Sequence, residues 1–337
     1  MTRPHAAPAM ILPALAVLGL ALGALVPTAQ AADPPSPEAI IEAFEGVVGP
    51  IRTHRPSHPK GTCAAGFFVG TAEGSRLSVA PVFNGQSVPV IIRLGVAGAN
   101  PRASDTSRGT RGLSIRFELP NGDQWDMANI SAPVFGSPTP EVFVDSLRVR
   151  RPDPATGQPN AAAIAAFVAA NPATTFQGRW LAANNPPASV ATTPYFGVNA
   201  FRFRGADGQV RHARWVFEPV AGVQRLTEEE MRTLPASFLA DEARRRIATA
   251  PIQFDMVLQF PSVGDDLLNP TIAWPEDRPR VTVGRLSVTE IAAGEGGPCD
   301  PISFLNLDLP PGVELSEDPT LHVRASSYAV ALSRRLQ

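Results

Sequence analysis

The sequence predicts an α+β protein built on an antiparallel eight-stranded β-barrel with helices packed around it. Three observations lead there: eight short β-type runs, turn signals of the hairpin kind between such runs, and helical segments, three of which begin at a recognisable cap. The runs are Ala64–Val69, Leu77–Phe83, Val88–Leu94, Leu113–Leu119, Phe196–Arg204, Gln209–Phe217, Ile252–Phe260 and Val281–Ile291. Asn121-Gly122 and Asp207-Gly208 are dipeptides that readily adopt the positive φ a tight hairpin needs, so neighbouring strands should run antiparallel. Closure into a barrel removes exposed strand edges; two packed sheets are the alternative.

The first helix is expected over Pro37 to Val48, with Ser36 as N-cap and Pro37 in the first helical position, where a missing N–H costs nothing. A second covers Ala161–Ala170. A third covers Thr227–Thr249, where Thr227 and Glu230 have the spacing of a capping box. The last starts after the Asp318-Pro319 pair and runs from Leu321 to Arg335 without a breaker. The 36 prolines gather in connectors such as Pro152–Pro159 and Pro270–Pro279, which should be long and stiff.

With 337 residues, 44% hydrophobic and 18% charged, the chain can bury a substantial core. Charges are mixed along the chain, 29 basic against 31 acidic, which argues against nucleic acid as a partner. Residues 1–31 read as a secretory signal, with Arg3, an apolar run from Ala9 to Val26, and small residues at Ala29 and Ala31 before the cleavage point. Residues 32–337 would then form a single exported domain, periplasmic or secreted, with no stable membrane association. A retained anchor is the competing reading, since the run is just long enough to span hydrocarbon. Export would place Cys63 and Cys299 in an oxidising compartment, where they could pair or remain two small buried apolar side chains; their separation in sequence does not decide.

Zinc helices, Cys-x-x-Cys pairs, nucleophile elbows and phosphate loops are all absent from the sequence. Two segments stand out instead. Arg55-Pro-Ser-His58-Pro-Lys60-Gly61, holding the only lysine, runs straight into an apolar strand, and Arg324-Ala-Ser-Ser-Tyr328 lies on the final helix. A spacing of four puts Arg324 and Tyr328 on one helical face, where the guanidinium would favour the deprotonated phenol, a hard ligand for ferric iron. Taken alone, the segment reads more simply as an amphipathic tyrosine near a helix end. Between the two segments lie Pro89-Val-Ile-Ile-Arg93-Leu, Arg111-Gly112-Leu-Ser-Ile-Arg-Phe117, Trp125-Asp126, Ala132-Pro133-Val-Phe135 and Asn269-Pro-Thr-Ile-Ala-Trp274-Pro275.

In their order and spacing these segments resemble the catalase superfamily, over most of the chain from about Ser57 to Arg335. The resemblance implies the catalase-like barrel and a haem b cofactor. It implies His58 as distal acid and base, Tyr328 as axial ligand to the haem iron, and Arg324 as the charge partner of that tyrosine. By the same resemblance Arg55, Arg93 and Arg335 would hold the haem carboxylates, and Phe143 would pack on the macrocycle, although a core phenylalanine is the equally economical reading. Gly95 and Ile130 fall where large catalases carry a serine and a peroxide-orienting asparagine. The C-terminal helical domain of large catalases has no counterpart here, so the small catalase-related peroxidases are the nearer match. The implied reaction is reduction of hydrogen peroxide, or an organic hydroperoxide, by a small organic donor, with weak catalase activity. The residues leave two other readings open, an exported barrel that binds an apolar ligand without catalysis and a haem enzyme that rearranges fatty-acid hydroperoxides. A homo-oligomer is also left open.

Overall fold

Eight strands close a ring in the computed structural model, which describes residue 1 and residues 33–337 except 53–54, 99, 121, 295, 305–308 and 337. Most of the expected signal segment, 1–31, lies outside the described residues. The strands are β1 (Gly61–Gly70), β2 (Ser87–Val96), β3 (Arg111–Glu118), β4 (Gln124–Ile130), β5 (Tyr195–Phe196), β6 (Phe201–Arg204), β7 (Val210–Pro219), β8 (Ile252–Gln259), β9 (Arg280–Ile291) and β10 (Val313–Leu315). The barrel order is β1-β2-β3-β4-β5-β7-β8-β9, each pair antiparallel and β9 returning to β1; β6 and β10 extend one side of β7.

Alternation along the strands sends Phe68, Ile92, Leu113, Phe117, Trp125, Trp215 and Phe254 inward, all essentially buried. Trp125 stacks on Phe117 with ring centroids 5.4 Å apart and meets Trp215 edge-on at 6.0 Å. The barrel is therefore filled by its own side chains, and each such aromatic contributes roughly 1.5–3 kcal/mol through burial.

The helices are α1 (Pro37–Val48), α2 (Ala72–Leu77), α3 (Pro140–Arg148), α4 (Ala161–Ala170), α5 (Phe176–Ala183), α6 (Glu228–Thr233), α7 (Phe238–Ile247) and α8 (Pro319–Arg335). Ser36 and Asp318 cap α1 and α8 through their side chains, and Thr227 with Glu230 closes a capping box on α6. α1, α3 and α8 share a second core, built on Ile40, Ile41, Val144 and Ala331, outside the barrel.

Three expectations are corrected. Leu77–Phe83 is not a strand: it ends α2 and enters a 3-10 turn at Pro81, because the prolyl nitrogen cannot donate to a ladder, and Leu77, Ala80, Val82 and Phe83 instead pack into the main core. Gln124–Ile130, following the hairpin glycine Gly122, supplies the eighth barrel strand in its place. The stretch 227–249 forms two helices, since Pro235 drives Leu234 to ψ 148 and out of the helical region. Phe196–Arg204 divides into β5 and β6: Phe196 to Phe201 spans the interval between only Val216 and Ala213 on β7. The surplus residues bulge out of the ladder and carry Asn199 toward α8.

Candidate active site

The outer face of β1 to β5 leaves room for a ligand where Gly95, Gly112, Ser114 and Ala128 carry little or no side chain. Gly95 pairs with Gly112, Gly112 with Ile130, and Ile130 with Phe196, so one row crosses four strands on a single face. A neighbouring row runs from Arg93 through Ser114 to Ala128. Against this face stand α1, α3 and α8, and between them lies a cavity of about 380 Å³, in the size range of a cofactor site. All seven side chains singled out in the sequence line it: Arg55, His58, Arg93, Phe143, Arg324, Tyr328 and Arg335.

His58 is the one described non-glycine residue with positive φ, at 54°. That left-handed backbone is uncommon for a histidine, and the surrounding contacts sustain it. Its N–H donates to the Gly98 carbonyl at 3.0 Å, and its Nδ1 meets Ser57 Oγ at 2.9 Å. The ring lies over Gly112, where a Cβ would stand 3.3 Å from Cδ2. Nε2 is buried and has no hydrogen-bond partner among the described residues. Burial first, then the positive charges of Arg93, Arg111 and Arg55, hold its pKa down to about 4, so the imidazole is neutral at neutral pH.

The cavity face of α8 runs through Thr320, Arg324, Ser327, Tyr328, Ala331 and Arg335, the i, i+3/i+4 stripe of a helix. Arg324 Nη2 donates to the Tyr328 hydroxyl at 3.0 Å, as the spacing predicts. Its Nη1 reaches Asn199 Oδ1 at 3.4 Å, and the Asn199 amide donates to Asp318 and Thr320, each at 2.7 Å. A buried chain from Asp318 through Asn199 thus fixes the guanidinium beside the phenol.

Arg55, Arg93 and Arg335 converge at another part of the cavity. Each has its pKa lowered, first by burial and, for Arg55 and Arg93, also by arginine neighbours; for Arg55 these are Arg93 and Arg335, and the value falls to about 10. Asp300 is the acid opposing all three. Three crowded guanidiniums facing one carboxylate leave positive charge that a dianionic ligand would neutralise. Gly61 makes room for Arg93: a Cβ there would lie 2.5 Å from the guanidinium carbon. Phe143 packs against Phe44 and Phe135, ring centroids 5.4 and 5.8 Å away, so it is at once a core residue and a cavity wall.

Several contributors escaped the sequence. Ser57 lay inside a noted motif, yet nothing marked its hydroxyl as the partner of Nδ1. Asn199 is one polar residue in an apolar stretch, with no spacing signal. Lys60 plays a structural part, since its ammonium pairs with Asp105 at 2.7 Å and donates to the carbonyls of Ala103 and Ala236, tying the start of β1 to two loops. Gly95 and Ile130 do line the cavity, and neither side chain can form a hydrogen bond there. Asn129 is committed elsewhere, donating to Leu113 and accepting from Trp215. Cys63 and Cys299 form a disulfide, which the sequence left undecided.

The residues present fit a haem: a sheet face with little side chain at Gly95, Gly112, Ser114 and Ala128, a phenol oxygen held on α8, an orphaned imidazole nitrogen, and three guanidiniums in place for two carboxylates. The comparisons with known proteins agree. A family model described as "Catalase" matches residues 51–337. A catalase-related peroxidase of Synechococcus elongatus is 41% identical over 89% of this chain and 88% of its own length. Another, from Mycolicibacterium paratuberculosis, is 33% identical over 89% of this chain and 95% of its own. The crystal structure of a fungal catalase superposes with a TM-score of 0.75 at 21% identity, covering 84% of this chain and 59% of the fungal one, which speaks to the fold alone. On the fold, the cavity and these matches together, the chain belongs to the catalase family.

Proposed function

We propose that this chain is a haem peroxidase, an oxidoreductase that reduces hydrogen peroxide with a small organic donor, and that haem b is the form it carries. The observation that carries the reading is the meeting, in one cavity, of Tyr328 held by Arg324 with a buried neutral His58 whose Nε2 has no partner among the described residues. Bound ferric haem supplies the two-electron chemistry that cleaves the peroxide O–O bond. Tyr328 would be the residue that holds its iron. Arg324, donating to the phenol oxygen at 3.0 Å, would hold that oxygen in position to serve as the ligand. Arg55, Arg93 and Arg335 would hold the two carboxylates, and Phe143 would pack on the ring.

His58 moves the proton. Being neutral, its Nε2 accepts the proton from the near oxygen of hydrogen peroxide and returns it to the departing oxygen. With Ser57 Oγ accepting from Nδ1–H, Nε2 is left free to accept a proton. Because Ile130 and Gly95 offer no side-chain hydrogen bond, a second peroxide is held less well than a small organic donor, and dismutation should be weak. The apolar-ligand barrel is the poorer reading, since the barrel interior is packed solid with aromatics and the cavity outside it carries four arginines. The secretory features of residues 1–31 and the disulfide support export.

Rates of peroxide loss, measured alone and with an aromatic donor, test the reading. Turnover should rise several-fold with the donor; dismutation exceeding donor-dependent turnover would contradict it.

A further inference from the structure

The connection 299–302 carries contacts to all three clustered arginines. Arg55 donates to the carbonyls of Cys299, Asp300 and Ile302 at 3.2, 3.0 and 2.5 Å. Arg335 reaches the Pro301 carbonyl at 3.4 Å, and the Asp300 carboxylate lies 3.9 Å from Arg93 Nε. Yet these residues belong to no helix or strand, so no backbone ladder holds them in place. What does is β1. Cys299 is bonded to Cys63, with Cα atoms 5.4 Å apart, and its N–H points at Cys63 Sγ at 3.2 Å. Gly297 passes so close that a Cβ there would stand 3.0 Å from the Cys63 Cβ. Cys63 is in turn the register partner of Arg93 across β1 and β2. One bond, between residues 236 apart in sequence, therefore joins the strand beside Arg93 to the loop beneath Arg55.

We infer that the Cys63–Cys299 disulfide is a positioning device for the arginine clamp, and that it sets how tightly the protein holds the carboxylates of its cofactor. The inference rests on the reading of Arg55, Arg93 and Arg335 as carboxylate holders. With the bond closed, the carbonyls of 299–302 and the Asp300 carboxylate hold three mutually repelling cations in one place. With it open, the loop gains freedom, the cations spread, and the preorganisation is lost. Reduction by dithiothreitol is a balanced exchange: two electrons and two protons pass to the protein, the S–S bond gives two thiols, and the reagent closes to its cyclic disulfide.

The test compares transfer of haem to apomyoglobin from the parent and from a Cys63→Ala/Cys299→Ala double variant, and repeats both with haem dimethyl ester, whose carboxylates are blocked. Loss of haem should be about ten- to a hundredfold faster from the variant, and loss of the diester equal from both. Equal haem loss, or a diester lost faster by the same factor, overturns the inference and leaves the cofactor reading standing. A parent that takes up no haem sinks both. Should the double variant fail to fold, the dithiothreitol-reduced parent, checked by circular dichroism, gives the same comparison.

Discussion

The imidazole of His58 lies so close to Gly112 that a Cβ on that glycine would stand 3.3 Å from Cδ2 and 3.7 Å from Nε2. The nitrogen proposed to move the proton thus sits where β3 carries no side chain. Gly112→Val should push the ring off its seat and cut peroxide turnover roughly a hundredfold, the scale of an ångström-sized misplacement. Haem uptake, measured separately by absorbance, should persist. Unchanged turnover would mean that the glycine row does not position His58.

The acid limb of the pH profile follows from the burial of His58. Its pKa sits at about 4, below the free value of 6.5, with desolvation the first cause and one that persists when a ligand fills the cavity. The imidazole can accept a proton above that value, so kcat/KM should hold level on acidification through 6.5 and fall only as pH approaches about 4. The same depression works on stability. Between 6.5 and about 4 the unfolded chain takes up a proton that the folded chain refuses, so this group's contribution to stability is lost as pH falls. A half-maximal point near 6.5 would show the ring to be solvated.

Ser57 is expected to act through the tautomer of its neighbour. Ser57→Ala should lower kcat about tenfold at unchanged haem affinity, and Ser57→Thr should restore it. If both variants behave alike, the hydroxyl has no orienting role.

Asn199 links Asp318, Thr320 and Arg324. Asn199→Leu leaves a buried carboxylate short of a donor and should destabilise the protein by about 1–3 kcal/mol, read as a lowered melting temperature. Stability equal to the parent's would show that the chain to Arg324 is not coupled to packing.

Much of this fold could be read from local signals. α1 and α8 begin at the expected caps Ser36 and Asp318, and six of the eight expected β-type runs contain or overlap single observed strands, because period-two burial leaves its mark on sequence. The departures have specific causes. Alternation at Leu77–Phe83 imitates a strand until Pro81 intervenes, and the bulge at 197–200 exists only because β7 is shared by two partners. At the site, helical spacing placed Arg324 beside Tyr328, while the family resemblance singled out His58 and Tyr328 as candidates. The partners that orient them were not legible: Ser57 depends on a strained backbone at His58, and Asn199 on a bulge fixed by tertiary pairing.

Tyr328 as the protein's ligand to the iron of a haem is the proposition on which the rest depends. The most direct measurement is the absorbance spectrum of Tyr328→Phe beside the parent after both are offered haem. The parent should show a strong Soret band typical of bound haem, and the variant should lose it or show it shifted, while circular dichroism reports the same fold. Identical Soret bands from the two proteins would contradict the account.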